Sequence, residues 1–182
     1  MVVYIIMAVI ILLIVYIFVL YNSFVSLNNK VKEAFATMDV YLKKRWDLIP
    51  NLVETVKGYA NHEQETFSEV TKLRNSNYES MSNEEKIITN EKMNTKIDRI
   101  MALKEAYPEL KANENFKNLS TELKKIEDDI ANSRKYYNAV VRVYNNKVEM
   151  FPNSLIAKIF GYHSKKMFEA NNEERKNVKV EL

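Results

Sequence analysis

The chain has no cysteine. That one absence removes disulfides, thiolate nucleophiles, cysteine-ligated zinc and lipidated-cysteine anchors together. Two glycines and three prolines are spread over 182 residues, too few for the turn chemistry of all-β or α/β domains and for a glycine-rich phosphate loop. The two histidines, His62 and His163, are far apart in sequence, which argues against a histidine metal site. Neither sign of charge dominates: 27 Lys and Arg face 24 Asp and Glu, for a net charge of +3. No basic cluster of the kind that binds nucleic acid stands out, so no nucleic-acid partner is expected. No cofactor and no catalytic activity are expected either.

What the chain does have is one long apolar run. Residues 2–21 read VVYIIMAVIILLIVYIFVLY without a charge, about the length a helix needs to cross a hydrocarbon core of roughly 30 Å. No basic segment precedes it and no small-residue cleavage triplet follows it, so it reads as a retained anchor and not as a cleaved signal. Lys30 and Lys32 follow closely, with Lys43, Lys44 and Arg45 beyond. That bias favours a cytoplasmic soluble part, with the opposite orientation as the alternative.

After the run, apolar residues recur at helical spacing through Phe24, Leu27, Val31, Phe35, Met38 and Leu42. Pro50 lacks an amide donor and disfavours helix at Ile49, so a break is expected near residues 46–49, with a kinked continuous helix as the alternative. A second stripe runs from Leu52 to Leu73, with Gly58 inside it attributed to close packing of another backbone. Ser82 and Glu85 match a capping box before a third helix, whose stripe is the weakest because Glu91 and Asn94 occupy core positions. Asn113 is a good N-cap for a fourth helix, the clearest of all, with near-heptad spacing from Phe116 to Phe151 over on the order of 55 Å. The expected fold is all-α: a single transmembrane helix at 1–21, then an antiparallel up-and-down four-helix bundle at 22–152, with helices at about 22–46, 50–75, 83–106 and 114–151. A coiled-coil dimer on the fourth helix is the competing architecture. A short amphipathic segment at 153–168 and a tail at 169–182, expected from its composition to be disordered, complete the chain.

Three collinear blocks carry a family resemblance: Asp39 through Ala60 (DVYLKKRWDLIPNLVETVKGYA), Ala106 through Phe116 (AYPELKANENF) and Phe151 through Ala157 (FPNSLIA), with Tyr137-Asn138 and Tyr144-Asn145 between the last two. The chain resembles the LemA family from its anchor to about Phe168. The resemblance implies a bacterial membrane protein with one N-terminal span and an antiparallel helical bundle. It also implies no established catalytic activity and a role in organising the envelope or a membrane, one relative taking part in magnetosome membrane formation. Family members often end in Val-x-Phe, whereas this chain ends Val180-Glu181-Leu182.

Two groups of residues are singled out. Asp39, Arg45, Asp47, Pro50, Asn51 and Glu54 cluster around the expected chain reversal. Asp47 and Asn51 are expected to cap it, and Arg45 to be held by a carboxylate, with Arg134, Asn138 and Asn145 of the fourth helix as further candidate partners. A docking surface is the other reading of that cluster. In an up-and-down bundle the end of the fourth helix returns to the bilayer, so Leu155, Ile156, Ile159 and Phe160 are expected to touch lipid, with Lys158, Lys165 and Lys166 at the headgroups. The other reading is that this segment merely closes the end of the bundle. His62 with Glu63 and Glu65, and the run Glu127-Asp128-Asp129, read most simply as solvated polar faces. The expected function is a single-pass, non-enzymatic interaction or scaffold protein of the bacterial envelope whose partners are the lipid bilayer, membrane or envelope proteins and a possible second copy. The alternative is an adaptor of a membrane enzyme such as a protease.

Overall fold

The computed structural model describes residues 1–60, 62–74 and 77–168, and among them every regular element is helical. The tail at 169–182, for which disorder is expected, lies outside the described residues. The elements are α1 (Val2–Lys57), α2 (Gln64–Arg74), a 3₁₀ turn (Tyr78–Ser80), α3 (Asn83–Ala106), α4 (Pro108–Ala112), α5 (Glu114–Glu149) and α6 (Asn153–Ile159).

α1 joins the apolar run to the first amphipathic stripe in one helix of 56 residues. The expected break near residues 46–49 is absent, and the helix continues through Pro50. The physical reason lies in the stripe. Leu42, Trp46, Ile49, Val53 and Val56 are buried on both sides of the proline. At about 1.5–3 kcal/mol for each buried side chain, their burial outweighs the roughly 3 kcal/mol that an internal proline costs.

The reversal comes instead after Lys57. The amides of Tyr59 and Ala60 both donate to the Val56 carbonyl, at 3.0 and 2.9 Å. The segment expected as one helix at 50–75 is therefore divided: residues 50–57 close α1 and residues 64–74 make α2. Gly58 does not mark a close approach, since a Cβ placed there would meet only the Thr55 carbonyl oxygen, at 3.6 Å. It sits just beyond the last helical residue, where glycine commonly ends a helix.

α3 opens on a reciprocal cap in which the Glu85 amide donates to Ser82 Oγ at 3.2 Å and the Ser82 amide to Glu85 Oε2 at 2.7 Å. α5 opens with the Phe116 amide donating to Asn113 Oδ1 at 2.9 Å. Both caps satisfy amides that a helix start leaves unpaired.

The chain groups into two compact units. The first holds residues 1–37 and 134–167; the second holds residues 38–133 and Phe168. In the first unit Phe24 is fully buried and stacks on Tyr162 at 5.1 Å, and Phe35 meets Tyr137 edge-on at 5.9 Å. In the second unit the single tryptophan, Trp46, packs on Tyr78 at 5.3 Å.

Candidate functional site

The second unit is built around a buried arginine. Arg45, on α1, is 1% exposed. Its Nη1 donates to Asn94 Oδ1 at 2.6 Å and to Glu127 Oε1 and Oε2 at 2.8 and 3.0 Å. Its Nη2 donates to the Asn90 carbonyl at 3.1 Å and to Asn90 Oδ1. A buried guanidinium is tolerated only when paired and hydrogen-bonded; one carboxylate and two asparagines serve both Nη groups, while Nε is buried without a hydrogen-bond partner. One turn and a half earlier on α1, Asp39 accepts from Tyr78 Oη at 2.6 Å and from Lys86 Nζ at 2.8 Å. Burial, then that bond to the Asp39 carboxylate, pushes the Tyr78 phenol well above its ordinary range.

This explains the weak stripe of α3. Lys86, Asn90 and Asn94 recur every four residues on one face, and that face meets charged groups of α1 where an apolar row would otherwise be expected. At the other edge, Lys96 donates to Glu69 Oε2 at 2.5 Å and holds that carboxyl below its ordinary range, with help from Arg99.

The residues expected at the reversal part company. Arg45 and Asp39 enter the polar core. Asp47 caps nothing: it is exposed and pairs with Lys43 at 2.6 Å one turn earlier. Asn51 is exposed, and its carbonyl accepts from Thr55 Oγ1 at 2.8 Å within α1. Glu54 is exposed and Pro50 half-buried. The reason is the uninterrupted helix, which leaves no ends at residues 46–49 to be capped. Arg134 and Asn138 lie on α5 in the first unit. Glu127 departs from the solvated face expected for its acidic run, because it turns to Arg45. Tyr78, Lys86, Asn90 and Glu127 escaped sequence reasoning, and the polar residues at core spacing on α3 were the available signal.

An open groove of about 740 Å³ between α3 and α5 is lined by Asn94, Ile97, Met101, Leu123, Glu127 and neighbouring polar residues. Among the described residues, no three of His, Cys, Asp and Glu converge as a metal site. His62 is exposed in the turn before α2.

In the first unit α5 clamps the segment that follows α6. Asn145 Nδ2 donates to the Lys165 carbonyl while the Lys165 amide donates to Asn145 Oδ1, both at 2.8 Å, and Tyr137 Oη donates to the Lys166 carbonyl at 3.2 Å. Tyr144 is buried beneath the Lys165 ammonium, which lies 5.4 Å from its ring centre. Burial, then repulsion from Lys32, lowers the Lys165 pKa from its ordinary value. α6 ends in a Schellman turn: Gly161, at φ +73°, donates to the Lys158 carbonyl and Tyr162 to the Ala157 carbonyl. Leu155, Lys158, Ile159, Phe160 and Lys166 are exposed, whereas Ile156 and Lys165 are half-buried and Ala157 is fully buried.

Comparison with known proteins places these features in a group. The sequence pattern of the LemA family matches residues 34–182. The chain is 28% identical over 162 residues to protein LemA of Metamycoplasma hominis, across 86% of this chain and 72% of that protein. It is 24% identical over 175 residues to magnetosome protein MamQ 2 of Paramagnetospirillum magneticum, across 82% of this chain and 64% of that protein. It is also 24% identical over 168 residues to magnetosome protein MamQ of Magnetospirillum gryphiswaldense, across 78% of this chain and 62% of that protein.

Proposed function

Because this chain belongs to the LemA family, we propose that it is a membrane-anchored, non-enzymatic scaffold of the bacterial envelope that holds a helical interaction module beside the bilayer. One observation carries the reading. The most apolar stretch of α1 has none of its residues buried by the rest of the protein, yet the same helix runs on without interruption into the folded units. A helix that is hydrophobic all round and unburied by protein fits a bilayer and not water. The likeness to magnetosome proteins supports a membrane setting.

The second unit then supplies the module: the end of α1, α2, α3 and the start of α5 as an up-and-down bundle. Arg45 meeting Glu127, and Asn113 donating to Tyr59 Oη at 2.8 Å, support an antiparallel course for α1 and α5 there. Anchoring works by placement, since confinement to the membrane plane raises the effective concentration of membrane partners or of a second copy. Charge supports a cytoplasmic soluble part: Lys30 and Lys32 follow the run closely, residues 1–37 and 134–167 carry nine Lys and Arg against Glu33 and Glu149, and basic residues near a span tend to stay on the cytoplasmic side.

Crosslinking of the full chain in native membranes, read by mass spectrometry, tests the proposal. Crosslinks to itself and to several membrane proteins support a scaffold. A single stoichiometric enzyme partner, such as a protease, would replace this reading with an adaptor.

A further inference from the structure

α6 has a position and a surface that scaffolding does not use. Tyr16 lies five residues before the end of the apolar run, and its hydroxyl donates to Asn153 Oδ1, at the start of α6, at 3.4 Å. Helix side chains lean toward the helix N-terminus, so this contact falls deeper in the run than the Tyr16 backbone. Leu20 is buried, and Tyr21 packs on Phe160 at 4.9 Å. α6 therefore lies alongside the last turns of the run and not beyond them.

Its outer surface is apolar. Leu155 and Ile159, one turn apart on α6, are 55% and 74% exposed, and Phe151, in the segment leading into α6, is 80% exposed. Met150 is 62% exposed as well, while Phe160 turns toward Tyr21 and Ala157 is fully buried. Lys158 and Lys166 are exposed in the same unit, whose charge is strongly basic. In Met38–Ser133, by contrast, 18 acids exceed 15 bases.

We propose that α6 and the residues leading into it form a wedge in the leaflet where the run ends, with Phe151, Leu155 and Ile159 in the hydrocarbon and Lys158 and Lys166 at anionic headgroups. Depth selects the occupant: a surface held beside a transmembrane run faces acyl chains, and amphipathic segments with basic flanks bind such interfaces. Lys165, turned onto Tyr144, takes no part. The inference rests on residues 2–21 being a span.

The absence of cysteine makes the test clean. The full chain is reconstituted in nanodiscs of phosphatidylcholine and phosphatidylglycerol with a single fluorophore at Ile159→Cys, Leu155→Cys, Val143→Cys or Val9→Cys. Each is quenched by aqueous iodide and by nitroxide-bearing lipid. The expected result is severalfold weaker iodide quenching at positions 155 and 159 than at the exposed Val143, with lipid quenching at 155, 159 and 9. Lys158→Gln with Lys166→Gln should weaken the preference for anionic lipid by roughly fivefold per charge. Iodide quenching at 155 and 159 as strong as at 143, with position 9 still in lipid, overturns the wedge and leaves the anchor standing. Iodide access at position 9 overturns both.

Discussion

Glu127 takes two hydrogen bonds from Arg45 Nη1, at 2.8 and 3.0 Å, across 82 residues of chain. The pair ties α1 to α5 and, through Asn90 and Asn94, to α3. Its two members are unequal in burial, Arg45 being enclosed and Glu127 about one-third exposed. Removing the carboxylate strands a buried cation, a change that costs about 3–5 kcal/mol. Glu127→Ala is therefore expected to lower stability by that order, read by denaturant unfolding with Trp46 fluorescence. Asp47→Ala, which breaks only an exposed pair one turn apart, is expected to cost less than about 1 kcal/mol.

The two glycines separate by conformation. Gly161 sits at φ +73°, where an L side chain is strained, so Gly161→Ala should cost about 1–2 kcal/mol and loosen the end of α6. Gly58→Ala should be close to neutral, since its φ is ordinary and only the Thr55 carbonyl oxygen lies near. Paired unfolding curves, with amide exchange at Tyr162, check the contrast.

The capping box makes a pH prediction. The Glu85 carboxyl lies below its ordinary value of 4.5 because the Ser82 amide and hydroxyl bond to the charged form. A folded-state pKa below the unfolded one adds stability above the unfolded value, and that stability is lost as pH falls through the lowered value. Carboxyl-carbon NMR titration should show Glu85 titrating below 4.5 and Ser82→Ala returning it toward 4.5. Glu114, lowered instead by its bond to Lys117, should be unmoved by that substitution.

Asn145 holds both backbone groups of Lys165. Asn145→Ala leaves that amide and carbonyl without their partner, at about 1–3 kcal/mol for a buried group. The expected sign is faster hydrogen exchange at the Lys165 amide, with exchange in α3 unchanged.

Features written in short stretches of sequence were legible. The apolar run, the stripe from Phe24 to Leu42, the Ser82–Glu85 box and the Asn113 cap each depend on residues within a turn or two of one another. Pro50 and Gly58 misled because each was weighed by local propensity alone. The buried stripe around Trp46 carries the helix past the proline, and the helix ends at a glycine that periodicity had placed inside it. The polar core was hidden for a different reason. Helical spacing shows that Lys86, Asn90 and Asn94 share a face, but not that this face meets Asp39 and Arg45 some 45 residues away. Glu127, read within its acidic run, gave no local sign of turning inward.

Alkaline carbonate extraction of membranes from cells making the full chain tests the central claim most directly. An anchored protein stays in the pellet with its apolar run uncleaved. Recovery of the intact chain in the carbonate supernatant, free of vesicles, would contradict a membrane-spanning α1.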